Sequence, residues 1–403
     1  MRMSISSSTA SKPRHQPVWP DPVELATVVR RLAAGLPLVL PAECDTLQRR
    51  LAAVADGQAF LVQGGDCAET FRDLSLDTLS RTMDTLFGTA DQLSEAMFRP
   101  VVVVARLAGQ YAKPRSQPVE TRGGVTLPSY MGDAVNGIEF TPEARTPDPY
   151  RLAQAYAASG ATLNAVRSLL AEAGATGGGR ELYVSHEALL LDYERPLVRT
   201  DPRTGTRYSG SGHLLWVGER TRAADGAHIE FLSRIGNPLA VKVGPTATAD
   251  ELLALVERLD PDRQPGRLTF IVRMGTDRVR RVLPDLVAKV TAAGARVAWV
   301  TDPMHGNTFT APSGHKARDC AAILDEVTGF FEVHRALGTH AGGLHLELTG
   351  SEVTECVGAG VRLGDLSQRY RSACDPRLNR LQAQELARQV SELVTRLGAL
   401  QLP

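Results

Sequence analysis

The strongest constraint on this chain is a rhythm. Eight short β-rich runs recur from residue 59 onward, and amphipathic helical stretches separate them. The runs are AFLVQGGD (59–66), PVVVVAR (100–106), ELYVSHEAL (181–189), LLWVGE (214–219), LAVKVGP (239–245), LTFIVRMG (268–275), RVAWVTDPMHG (296–306) and GLHLELTG (343–350). Helical periodicity covers 76–98, 149–173, 222–235, 250–259, 277–293, 319–337 and 378–397. This alternation predicts an α/β protein whose parallel sheet closes as a (β/α)8 TIM barrel. Counting elements leaves an open doubly wound sheet as the alternative. The position of the polar residues favours the barrel. Each run starts apolar and ends in chemically active groups: Asp66/Cys67, Arg106, His186/Glu187, Glu219/Arg220, Lys242, Arg273, Asp302/His305 and Glu347. Barrel enzymes place their active sites at that end of the strands.

Two further stretches with helical spacing, 22–35 and 44–57, precede the first run. The expected organisation is therefore an N-terminal extension over 1–58, a disordered start followed by helices, and a catalytic barrel over 59–403. The 403 residues carry 45 Lys+Arg against 45 Asp+Glu, which argues against a general nucleic-acid or acidic-surface binder. The N-terminal residues are polar and Ser-rich without the apolar core of a secretory signal, and the longest apolar runs are strand-sized, so a cytoplasmic protein is expected. Five scattered cysteines do not make a disulfide framework. Only five lysines occur, which makes Lys242, inside an apolar strand, conspicuous.

Closure of a barrel makes runs one, seven and eight neighbours. Cys67, His305 and Glu347 then converge at one mouth, with Asp375 of Cys374-Asp375-Pro376-Arg377 close in sequence behind them. A thiolate, an imidazole and two carboxylates suit Mn²⁺, Co²⁺, Zn²⁺ or Fe²⁺ better than Ca²⁺ or Mg²⁺. The bland reading is a small buried cysteine and a loop-forming histidine. Arg106, Arg220, Lys242 and Arg273 end runs two, four, five and six, and Lys113-Pro114-Arg115-Ser116 follows run two. Lys242 lies on the opposite pleat from Val241 and Val243 and should face the barrel axis. Inward cations without acidic neighbours in their own runs call for an anionic substrate, and guanidinium forks fit phosphate and carboxylate. Internal pairing with Glu187, Glu219 and Asp302 is the competing explanation. Gly177-Gly178-Gly179 reads as a flexible connector, because no Lys-Ser/Thr follows it. His228, His334 and His340 read as helix-surface or loop residues.

FLVQGGDCAETF (60–71), RLAGQYAKPRS (106–116), LPSYMGDAVNG (127–137), SHEALLLDYE (185–194), WVGERTRAADGAHIEF (216–231), VKVGP (241–245), RMG (273–275), DPMHGNT (302–308), HLELTG (345–350) and CDPRLN (374–379) resemble the signature blocks of the class II, plant-type 3-deoxy-D-arabino-heptulosonate 7-phosphate (DAHP) synthases. The resemblance covers about residues 16–395. It implies condensation of phosphoenolpyruvate with erythrose 4-phosphate and water, giving DAHP and phosphate at the entry to the shikimate pathway. Transferred by position, it implies metal ligands Cys67, His305, Glu347 and Asp375, with Mn²⁺ or Co²⁺ as the foremost ions. It implies phosphoenolpyruvate contacts at Arg106, the Glu219 backbone, Arg220, Lys242 and Arg273, and an erythrose 4-phosphate site at Lys113, Arg115 and Ser116. Lys242, Glu187 and Arg106 are the catalytic candidates. It further implies a homo-oligomer, dimer or tetramer, with the N-terminal extension capping the barrel or forming an oligomer contact, and a chorismate mutase as a partner.

Cys374 beside Asp375 leads to the hypothesis that oxidation joins Cys67 to Cys374 and expels the metal. Two departures stand out. Regulated family members insert a helix pair before the SHEA strand, where this chain has only 168–184, so weak or no aromatic amino acid feedback is expected, as in members serving secondary metabolism. Met131 stands where the family usually has Arg. The rival functions are an aminoDAHP synthase using an amino-substituted aldose phosphate and a non-catalytic partner subunit.

Overall fold

The computed structural model describes residues 12–175 and 179–399. Gly177 and Gly178 of the expected connector, and residues 1–11 of the expected loose start, lie outside them. Eight parallel strands close into a barrel: β1 (Phe60–Gly65), β2 (Val101–Arg106), β3 (Tyr183–Glu187), β4 (Leu214–Val217), β5 (Leu239–Val243), β6 (Leu268–Val272), β7 (Ala298–Thr301) and β8 (Gly343–Glu347). Strands neighbour one another in chain order, and β8 pairs with β1, Gly65 lying opposite Glu347. All eight predicted runs are barrel strands, and the open sheet is excluded.

The two-residue period of a strand divides its side chains between two environments. Phe60, Val62, Val103, Val241, Val243, Phe270 and Val272 pack outward into clusters with the surrounding helices. Leu61, Val102, Val104, Tyr183, Leu214, Trp216, Ala240, Ile271, Ala298 and Val300 fill the barrel interior. Continuing those inward rows toward the C-terminal ends replaces apolar residues with Gln63, Arg106, Ser185, Glu187, Lys242, Asp302, His345 and Glu347. The lower interior is therefore an apolar floor, and the upper one is a charged mouth.

Helices α1 (Pro22–Ala34) and α2 (Pro41–Ala55) precede β1. Asp21 caps α1 by accepting from the Val23 and Glu24 N–H groups. Leu47, Leu51 and Val54 of α2 join the interior cluster, so α2 closes the base of the barrel. The approach is tight: a Cβ on Gly266, which has φ +75°, would lie 2.0 Å from the Gln48 carbonyl oxygen. The outer ring is α3 (Leu76–Met97), α4 (Tyr150–Ala175), α5 (Ala227–Leu232), α6 (Ala249–Leu259), α7 (Thr276–Ala292), α8 (Cys320–Leu337) and α9 (Arg380–Ala399).

The structure corrects the expected 222–235 helix to Ala227–Leu232. Its first residues form a turn in which Arg222 reaches Glu219 and Glu251 instead of continuing a helical face, and Gly226 is the N-cap. His228 and His334 are likewise not surface residues. His228 is buried with its ring nitrogen on the Leu189 carbonyl. His334 packs against Phe330 and Trp299, and burial pushes its pKa down to about 3. His340 is exposed in a loop, as expected. Three small sheets among the loops had no strong sequence signal: Val119–Arg122 with Val125–Pro128, Val198–Thr200 with Arg207–Ser209, and a three-stranded sheet of Thr308–Thr310, Lys316–Asp319 and Cys356–Val357. No described helix is long and apolar enough to cross a membrane.

Candidate active site

The C-terminal mouth of the barrel holds a cleft of about 800 Å³. Cys67, Arg106, Lys113, Arg115, Ser116, Glu187, Glu219, Arg220, Lys242, Arg273, His305 and Asp375 all line it. Glu347 is fully buried and meets the lining residues Arg106, Lys113 and His305. Residues scattered over three hundred positions thus meet in one place, because strand ends and their loops share one rim.

Donor atoms of Cys67, Glu347 and Asp375 lie within 4.8 Å of one another. Cys67 Sγ is 3.7 Å from Asp375 Oδ2 and accepts from the Asp375 N–H at 3.3 Å. His305 Nε2 approaches Glu347 Oε1 at 3.2 Å, while its Nδ1 meets Asp302 Oδ2 at 2.8 Å, which fixes the ring. The donor set accommodates a cation: the Lys113 ammonium sits against Cys67 Sγ and Asp375 Oδ2, and 3.7 Å from Glu347 Oε1. Burial opposes ionisation of Glu347, but His305, Lys113, Arg318 and Arg106 outweigh it and hold the carboxyl well below the usual range. The Asp375 carboxyl is also held low, chiefly by Lys113 against its own burial. Burial, the Cys374 thiol and Glu347 push the Cys67 thiol up, so a thiolate there requires a compensating cation. The residues fit a borderline divalent ion, with one soft sulfur, one imidazole and two carboxylates.

The cations divide into two kinds. Arg106 donates to Glu347 Oε1 at 3.1 Å and to the Cys67 carbonyl, stands 2.6 Å from His345 Nε2, and lies over the Trp216 ring. Lys242 is ion-paired with Asp302. Their own strands supply no acidic partner, as expected, but the competing explanation of internal pairing holds for Lys242 through Asp302 at the end of β7, and Arg106 finds an unanticipated partner in Glu347 of β8. Burial nonetheless pushes the Lys242 ammonium down to about 8. Arg220 and Arg273 form no ion pair among the described residues. Arg220 donates to Ser116 Oγ at 2.6 Å and Arg273 to the His305 carbonyl at 3.4 Å. The Arg220 contact joins the two expected anion-binding groups.

Glu219 does not pair with these cations; its side chain takes the Gly244 N–H at 2.6 Å and Arg222 at 2.9 Å. Arg115 lies 3.4 Å from Glu120 and 3.7 Å from Cys374 Sγ. Glu187 lines the cleft with a buried Oε1 that has no hydrogen-bond partner among the described residues, and its pKa is raised by burial against the pull of Lys113 and Lys242. A Cβ on Gly218 would stand 2.5 Å from that oxygen, so any larger residue there would push the carboxylate out of its present place. Met131 contributes its backbone, accepting the Lys113 N–H at 2.9 Å.

Several residues behind the cleft escaped the sequence reading. His345 bridges Gln63 Oε1 and Arg106; burial and the nearby Lys242 and Arg106 hold it neutral, with Nδ1–H donating to Gln63. Glu69 accepts the N–H groups of Ala108, Gly109 and Gln110, fixing the loop that leads to Lys113. Glu326 accepts from Met274, Gly275 and Asn307, tying the Arg273 loop to the His305 loop. Glu355 accepts from Arg371, Ser372 and Arg377 and so pins the segment carrying Asp375. Glu69 was visible as part of GGDCAETF. Nothing local marks Glu326 or Glu355.

A family model described as the class-II DAHP synthetase family matches residues 3–177 and 175–391. The chain is 52% identical to a phospho-2-dehydro-3-deoxyheptonate aldolase of Streptomyces coelicolor, over 94% of this chain and 94% of the relative. It is 43% identical to the phospho-2-dehydro-3-deoxyheptonate aldolase AroG of Mycolicibacterium smegmatis, over 98% and 95%. A solved phospho-2-dehydro-3-deoxyheptonate aldolase from Francisella tularensis superposes with a TM-score of 0.51 at 13% identity, covering 96% of this chain and 99% of that one, a likeness of fold. With its barrel, its rim of donors and cations, and a match over nearly its whole length, this chain belongs to the class-II DAHP synthetase family.

Proposed function

We propose that the chain condenses phosphoenolpyruvate with erythrose 4-phosphate and water to give DAHP and inorganic phosphate. The observation that carries this reading is the meeting, in one cleft, of the Cys67/Glu347/Asp375 donor group with Arg106, Lys242, Arg220 and Arg273. Two phosphorylated substrates need cations, and an aldehyde under attack by a weak carbon nucleophile needs activation.

Cys67, His305, Glu347 and Asp375 would hold a divalent ion, which when bound supplies a Lewis acid to the aldehyde carbonyl. Arg106, Lys242, Arg220, Arg273 and the Glu219 backbone take phosphoenolpyruvate and offset its charge. Lys113, Arg115 and Ser116 take the aldose phosphate, whose site adjoins the first through the Arg220–Ser116 contact. C3 of the enol attacks the aldehyde carbon, forming the new C–C bond while the aldehyde oxygen gains a proton. Water adds to the positive C2, and its loss of protons accompanies departure of inorganic phosphate, leaving the ketone. Lys242, poised near pH 8, and Glu187, raised by burial, are the groups placed to move these protons. Arg106 acts as a fixed charge, because its donors are already held by Glu347 and His345.

The reading includes weak or absent feedback by aromatic amino acids and a role in secondary metabolism. Its support is the short link between α4, ending at Ala175, and β3, starting at Tyr183, which leaves no room for an inserted helix pair. A homo-oligomer and a chorismate mutase partner belong to the same reading and rest on the family resemblance. The test is product analysis after incubation with both substrates. A seven-carbon sugar acid phosphate with one equivalent of released phosphate is expected. Turnover only with an amino-substituted aldose phosphate, or with neither, would reject the reading.

A further inference from the structure

The strand Lys316–Asp319, in the small sheet above β7 and β8, carries two cations two residues apart, and therefore on one face. Each reaches a different carboxylate of the donor group. Lys316 Nζ lies 2.8 Å from Asp375 Oδ1, and Arg318 meets Glu347 Oε2 at 2.7 Å. Both contacts fall on the oxygen turned away from the other donors. Asp375 Oδ2 is the oxygen beside Cys67 Sγ, where Lys113 now sits, and Glu347 Oε1 is the one beside His305 Nε2, which it shares with Arg106. Arg318 is fully buried and also donates to the Pro376 carbonyl, next to Asp375, and to Thr308 Oγ1 at 2.9 Å, three residues beyond His305. One short strand thus grips both carboxylates and braces two of the loops that carry the other elements of the site.

We propose that Lys316 and Arg318 are positioning residues that restrict Asp375 and Glu347 to one donor oxygen each and thereby select against large, oxygen-preferring cations such as Ca²⁺. The proposal rests on the reading of Cys67, His305, Glu347 and Asp375 as metal ligands. A carboxylate with one oxygen committed to an ammonium or guanidinium cannot close both oxygens on an ion. Two single-oxygen carboxylates, a thiolate and an imidazole give four donors, which suits Mn²⁺, Fe²⁺, Co²⁺ or Zn²⁺. Ca²⁺ takes six to eight oxygens and gains most from bidentate carboxylates. The two cations also reduce the negative charge that a hard ion would otherwise feel.

The test uses the full chain, stripped with a chelator, in the absence of substrates, because Lys316 also lines the cleft. Co²⁺ binding is followed by visible absorption, and Ca²⁺ is titrated in as competitor. In Lys316→Gln the freed Oδ1 can turn into the site, so the excess of Ca²⁺ that displaces half the Co²⁺ should fall about tenfold, the low end for loss of a ligand-orienting partner. Lys316→Arg should keep the original value, since a cation still engages Oδ1. Arg318→Gln should shift it in the same direction as Lys316→Gln. Should that buried variant not fold, the half-exposed Lys316 pair carries the test. An unchanged Ca²⁺ excess in Lys316→Gln overturns the proposal, even if affinity for both ions drops together, because a merely structural role would act equally on both. If the unsubstituted protein takes up no Co²⁺, or its Co²⁺ spectrum is unchanged in Cys67→Ser, the ligand reading itself fails.

Discussion

Lys242 gives the sharpest consequence of the electrostatics. Its ammonium is almost fully buried, and burial outweighs the attraction of Asp302 and lowers its pKa from 10.5 to about 8. If Lys242 holds phosphoenolpyruvate as a cation, as proposed, kcat/KM for phosphoenolpyruvate should fall on the alkaline side with an apparent pKa of about 8. One pH unit above that value only about a tenth of the free enzyme keeps the charge, and kcat/KM should be roughly tenfold lower. Stability should move the opposite way. Between pH 8 and 10.5 the unfolded chain holds the Lys242 proton and the folded one does not, so ΔG of unfolding gains as pH rises through this window. The 2.5-unit depression corresponds to about 3 kcal/mol in full. The control is Lys242→Arg, whose guanidinium stays charged throughout: the activity it retains should be lower but without the alkaline limb, and its share of the stability gain should vanish. Initial rates from pH 6 to 10 and denaturant melts at the same pH values measure both. An alkaline limb above about pH 9.5, or the same limb in Lys242→Arg, would refute the assignment.

Three other expectations follow from named contacts. Because burial, Cys374 and Glu347 keep the Cys67 thiol protonated without a compensating cation, uptake of a divalent ion at pH 7 should release about one proton per ion, read by a pH indicator in weak buffer; Cys67→Ser should lose that proton. The neighbouring Cys374 thiol, which shares a hydrogen bond with Cys67 and faces Lys113 and Arg115, is held at about 7, so mild oxidant should join the two sulfurs and remove metal-binding capacity. Thiol counts and metal content should both fall, and neither should do so beyond the control in Cys374→Ser. Leu51→Ala in α2 removes a fully buried side chain from the base of the barrel and should cost about 2–5 kcal/mol in a denaturant melt, while KM for both substrates stays unchanged because the cleft lies at the opposite end.

The barrel was legible because its evidence is periodic and repeated: eight runs with apolar starts and loaded ends, separated by helices, have one economical arrangement. Residues at strand ends were legible for the same reason, since the position of Lys242 or Glu347 in its run states where the side chain sits. Pairings across strands were not. Asp302 stood among the candidate partners of the inward cations, but which cation meets it, and that Arg106 meets Glu347, depends on a register that no run discloses by itself. The hairpin bearing Lys316 and Arg318 is short and lies between a turn and α8, so its alternation spans too few residues to stand out. Glu326 and Glu355 escaped because their role is to accept backbone N–H groups from distant loops, a function that leaves no mark on the neighbouring sequence. The misplaced start of the 222–235 helix shows a local preference yielding to tertiary demand: Arg222 is drawn into ion pairs with Glu219 and Glu251.

The most direct test of the central claim is phosphoenolpyruvate consumption by the purified, EDTA-treated protein with erythrose 4-phosphate, before and after addition of Mn²⁺ or Co²⁺. The account predicts negligible turnover in the stripped protein and its restoration by one equivalent of metal, with the seven-carbon product formed. Full turnover after verified metal removal, or no turnover in folded protein with metal bound, would contradict it.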